Sequence, residues 1–125
     1  MATVQIFNSF KEAISEKVHN LGSDTLKFLL TNTAPSLANT VKADLTEIGA
    51  GNGYTAGGTA VTVTSSAQSG GTYSLVLAAA TFTASGGTIG PFRYVVLYND
   101  TATNDELIGY LDYGASYTLP DGQPF

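Results

Sequence analysis

The sequence has no cysteine, no tryptophan and a single histidine, and only 12% of its 125 residues are charged. Without cysteine there is neither a disulfide frame nor a thiolate metal site. No apolar run approaches the roughly 18 residues of a membrane span, and the longest, Ser74–Ala80, has the length of a strand. Met1–Phe7 lacks the basic and apolar regions of a signal peptide. An average soluble domain carries about 25% charged residues, so charge is scarce here. The net charge of −5 disfavours nucleic acid as a partner.

The little charge present is unevenly placed. Lys11, Lys17, Lys27 and Lys42 precede the middle of the chain, and Arg93 is the only cation after them. From Ile48 to Phe92, 45 consecutive positions carry no charge. A domain this small cannot hide that whole stretch in its core, so part of it is surface rich in Thr, Ser, Gly and Ala. Two readings follow. One is a hydroxyl-coated sheet that tolerates low charge. The other is a surface covered by neighbouring subunits, since interface cores are depleted in charge.

Catalytic constellations are missing. His19 has Ser15 and Ser23 four positions away on either side, neither in a nucleophile-elbow context. It reads as a cap or surface residue near a helix end. Glu12 and Glu16, flanked by Lys11 and Lys17, read as a solvated helix face. Gly49-x-Gly51-x-Gly53 lacks the Lys-Ser/Thr of a phosphate loop and is followed by a strand, so its glycines read as backbone devices. Asn99, Asp100, Asn104 and Asp105 form an oxygen-rich turn. They are a calcium candidate without EF-hand spacing, and turn chemistry is the alternative. Tyr94, Tyr98, Tyr110 and Tyr113 sit in strands and read as core or cross-strand partners more than as a sugar platform. No enzyme and no cofactor are expected.

One domain fits the length. Phe10, Ile14, Val18 and Leu21 recur at helical spacing. Ser9 with Glu12 forms a capping box and Gly22 a C-terminal cap, which predicts a helix over about 10–20. Residues 1–22 are thus an arm and helix packed on the domain. Strands are predicted at Thr25–Asn32, with Leu26, Phe28 and Leu30 on one face, and at Thr59–Ser65, with Val61 and Val63 inward. Others are predicted at Tyr73–Leu77, Thr81–Ala84, Phe92–Tyr98 and Leu107–Tyr113, with a further strand beginning in Ser116–Phe125. Val41, Leu45 and Ile48 predict a short helical turn. Glycine pairs at Gly70–Gly71 and Gly86–Gly87 punctuate the runs. The pattern is mainly β: an antiparallel, jelly-roll-like β-sandwich with a short N-terminal α-helix.

The segments VQIFNSFKEAI (Val4–Ile14), TLKFLLTN (Thr25–Asn32), GNGYTAGGTAV (Gly51–Val61) and RYVVLYNDTATNDELIGYLDYG (Arg93–Gly114) resemble, in order and spacing, those of small structural proteins of tailed-bacteriophage virions. None of these motifs is catalytic. The resemblance implies a capsid decoration, or cement, protein on the outside of a phage head, made in the bacterial cytoplasm. Its implied partners are its own copies, as a trimer, and the major capsid protein. A tail component (tube, terminator or fibre-associated) and a carbohydrate-binding or adhesion module are the alternatives. A tube subunit should carry a long hairpin for stacking, and none with charge is evident. Proteins of this group carry a further strand after the Gly-Gln-Pro-Phe position, which this chain lacks. The expectation is a shorter member, a shortened sequence or a sheet completed by a partner chain. Tyr54, Thr62, Val63, Thr64 and Tyr73 are the expected interface residues.

Overall fold

The structure, a computed structural model, describes residues 4–78 and 81–125. In chain order it has β1 (Val4–Ile6), α1 (Asn8–Ser15), β2 (Leu26–Thr31), a 3-10 turn (Lys42–Asp44), β3 (Thr59–Val61), β4 (Val63–Ser69), β5 (Thr72–Leu77), β6 (Ile89–Asn99) and β7 (Leu107–Leu119). The fold is mainly β and antiparallel with one short helix, as the sequence pattern predicts.

Phe92, Tyr94, Val95, Val96 and Tyr98 give β6 the β-branched and aromatic side chains that suit a pleated, half-buried surface. It pairs on one side with β2, from Leu26↔Asn99 to Thr31↔Tyr94, and on the other with β7. β1 adds to β7 and β3 to β2, giving a five-stranded sheet in the order β1-β7-β6-β2-β3. β4 and β5 form a separate two-stranded ribbon. Val63, Leu75 and Leu77 pack it onto Leu26, Val61 and Ile108, a sandwich-like stack. The predicted strand Thr59–Ser65 therefore divides at Thr62: its first half joins the main sheet and its second half the ribbon.

The main sheet buries both faces. Leu26 and Leu30 are fully buried on one face, with Phe28 half-buried between them. Leu29, on the opposite face, is equally buried, packed with Phe7, Val96, Tyr98 and Leu107. Each such Leu or Phe contributes roughly 1.5–3 kcal/mol by leaving water. A third cluster joins Leu30, Tyr54, Phe82, Ile89, Phe92 and Leu119.

Three local expectations are corrected. The helix is shorter and earlier than 10–20 and has no side-chain cap. Buried Phe7 is its N-cap residue and donates its N–H to Ile108 O at 3.2 Å, so tertiary anchoring sets the start. The end is a Schellman-type turn with Lys17, not Gly22, in the left-handed conformation (φ +67°), closed by Val18 N–H to Ala13 O at 2.9 Å. Thr81–Ala84 forms an isolated bridge, Thr83↔Pro124, in place of a strand. Ser116–Leu119 continues β7, and the Phe125 ring packs 4.8 Å from Phe92.

Candidate functional site

The ribbon is the feature that the uncharged stretch builds. Gly70 and Gly71, both with positive φ (57° and 85°), make the two-residue turn that joins its strands. That pair of conformations matches the natural twist of a hairpin. Alternation puts Val63, Leu75 and Leu77 against the body, and Tyr73 on the same side further out. The other face carries Ser65, Ala67, Ser69, Thr72, Ser74 and Val76, all exposed. Val76 and Tyr73 are 49% and 50% exposed. Neither face carries a charge. Between the outer part of the ribbon and α1 lies an open, mainly apolar cleft of about 570 Å³, walled by Phe10, Ile14, Leu21 and Tyr73.

Of the expected interface residues, Thr62 and Thr64 are exposed, Thr64 donating its hydroxyl to Val76 O at 3.1 Å, and Tyr73 is half-exposed. Val63 is partly buried against the body. Tyr54 is corrected: it is a core residue, 2% exposed. Its hydroxyl donates to Glu47 Oε2 at 2.5 Å and accepts the Leu30 N–H at 3.1 Å. Burial first, then the bond to Glu47, holds its phenol far above the ordinary tyrosine range. Glu47 also accepts the Gly57 N–H at 2.7 Å, and Tyr98 donates its hydroxyl to Gly57 O at 2.5 Å. The glycine-rich stretch is thus tied down from within.

The calcium candidate is corrected at Asn99. Asn99 is fully buried, and its side chain is consumed by the fold. Its Oδ1 accepts Thr101 N–H at 2.9 Å and Ala102 N–H at 3.2 Å, while Nδ2 donates to Asp24 Oδ2 at 2.6 Å and to His19 Nδ1 at 2.9 Å. Asp100 faces Lys27 at 3.4 Å. Asp105 occupies the left-handed region (φ +53°), and the Asn104 N–H donates to Glu106 Oε1 at 3.0 Å. Among the described residues no cluster of three or more His, Asp or Glu side chains is arranged to hold a metal. The turn reading accounts for these residues.

His19 is buried, not a surface cap. Because Asn99 donates to Nδ1, the proton of the neutral ring sits on Nε2, which has no partner among the described residues. Burial lowers its pKa, and the carboxylates of Glu106 and Asp24 offset only part of that. The unfolded chain titrates near the ordinary value of about 6.5 and binds its proton before the folded one does. Stability is therefore complete above about pH 6.5 and falls as pH drops through the lowered folded value, by at most about 1.4 kcal/mol per pH unit. Urea midpoints at about pH 7.5 and about pH 5 should differ in that direction, and His19→Gln should narrow the difference. Equal midpoints would refute it.

Tyr113, Tyr117 and Phe125 form a surface aromatic group, with Tyr113 52% exposed. Their rings are tilted 32–66° to one another, so they make no flat platform for a sugar ring. No protein-family model matches the chain, and neither a curated protein nor a solved structure matches it.

Proposed function

We propose that the chain is a structural subunit of a tailed-phage virion, a decoration protein that docks onto its own copies and onto the major capsid protein. One observation carries this reading: a third of the uncharged stretch forms the β4–β5 ribbon, whose outer face is entirely exposed on the single chain. A surface without charge is poorly suited to a freely diffusing monomer, and the outer part of the ribbon, residues 64–74, is exposed on both faces, with only its base packed on the body. Contact with neighbouring subunits covers the first and supports the second. Weak neutral contacts, repeated over a shell, sum to tight attachment.

A tail component is the second reading. The observation that favours it is the same ribbon, a projecting hairpin of the kind that stacks rings in a tube. The two part by assembly state. The decoration reading expects a small closed oligomer by light scattering and saturable binding to expanded heads. Rings or filaments point to the tail. A strict monomer that ignores heads overturns both.

Thr62 lies exposed where β3 passes into β4. Thr62→Lys should leave the melting curve unchanged and weaken self-association about tenfold or more, a change of at least about 1.4 kcal/mol. An unaltered oligomer size would remove this surface from the contact.

A further inference from the structure

We infer that the free edge of β5 pairs antiparallel with β5 of a second copy of this chain, joining two ribbons into one four-stranded layer. The inference rests on the assembly reading above and names a contact separate from the Thr62 surface, which lies on the β4 side of β5. Among the described residues β5 is bonded along one edge only, to β4. The direction of its peptide groups follows from two bonds. Ala78 N–H donates to Thr62 O at 2.8 Å, and Val76 O accepts from the Thr64 hydroxyl at 3.1 Å. Even-numbered residues of β5 thus face β4. Alternation turns the N–H and C=O groups of Tyr73, Leu75 and Leu77 to the open side.

Soluble proteins guard such edges with charge, proline, bulges or brevity. β4 has a guard, the register shift between Val63 and Ser65. β5 has neither charge nor proline, and its register with β4 is unbroken from Thr72 to Val76. Both large hydrophobic residues that the ribbon leaves exposed, Tyr73 and Val76, lie on β5, on opposite faces. The strand is therefore open on its outer face throughout and on its inner face at Tyr73, while Leu75 and Leu77 rest on the body.

Charge identifies the occupant. A chain of net charge −5 repels its own copies where its acidic residues lie. The region from Ile48 to Phe92 is free of that repulsion, and β5 lies inside it. Antiparallel pairing of a strand with itself about a two-fold axis is also self-complementary and closed. An axis through Leu75 engages all three outward residues: Leu75 meets Leu75, and Tyr73 meets Leu77 of the second copy. Ser74 then stands opposite Val76 of the second copy in a non-hydrogen-bonded pair, with Cα atoms about 4.5 Å apart, inside disulfide range.

The absence of cysteine makes the test specific. Ser74→Cys and Val76→Cys are made separately, mixed and oxidised, with Ser65→Cys on β4 as control. The mixture should give several-fold more disulfide dimer than either variant alone or the control. Preferential self-linking of Ser74→Cys would overturn the axis at Leu75. If light scattering finds the unmodified chain oligomeric while the mixture links no better than the control, β5 pairing is overturned and the assembly reading stands. A monomeric chain without cross-links overturns both.

Discussion

Gly58→Ala is expected to destabilise the fold by about 3 kcal/mol or more, in the range reserved for backbone collisions in a packed interior. A Cβ at this position would stand 1.8 Å from Phe28 O and 2.9 Å from Leu29 Cα, both backbone atoms that cannot swing aside. The φ of +83° adds strain that any L-residue must bear. The consequence is specific to this corner, because Gly58 leads into β3, and β3 pairs with β2 through Phe28↔Thr59. Displacing it loosens the edge of the main sheet from which the ribbon departs. Urea unfolding measures the loss, and a change below about 1 kcal/mol would show that the close approach is not maintained.

Asn99→Ala should cost about 3 kcal/mol, by leaving buried groups without partners. The side chain makes four hydrogen bonds, to two loop N–H groups, to Asp24 and to His19. Asn99→Asp separates hydrogen bonding from shape. It keeps the acceptor for Thr101 and Ala102 but sets a carboxylate 2.6 Å from Asp24 Oδ2, where Nδ2 now donates. It should therefore destabilise comparably at neutral pH and recover as pH falls and the pair shares a proton. A chain indifferent to both substitutions would mean that the loop from Asp100 to Glu106 is held by other contacts.

The strands that carry the main sheet are legible in the sequence because β-branched and aromatic residues fill β6, and apolar runs mark β2 and β7. The alternation at Val61 and Val63, the run Tyr73–Leu77 and the Gly70–Gly71 pair mark part of both ribbon strands and their turn, but not that the two stand apart as a ribbon. What the pattern hides is tertiary. Phe7 looks like the end of an arm, yet its burial fixes the start of α1. Thr59–Ser65 alternates without interruption, so nothing local announces that it divides between two sheets. Tyr54 sits among glycines and looks exposed, and only the three-dimensional fold brings Glu47 and Leu30 to its hydroxyl. His19 seems to end a helix, because the left-handed turn at Lys17 that carries it inward has no glycine to signal it. Asn99 is the intermediate case: a turn role can be read from its type, but its burial and its bonds to Asp24 and His19 cannot.

The sheet order has a consequence for how the chain acquires its shape. β6 and β7 are adjacent in sequence and can zip as soon as both have been synthesised. β2 can meet β3 first along one edge, but its other edge waits for β6, and β1 has its partner in β7, with Val4 opposite Leu111. Pairings this distant along the chain slow the search for the native state. β1 therefore leaves the ribosome unmatched, and the sheet closes only when β6 and β7 have followed it.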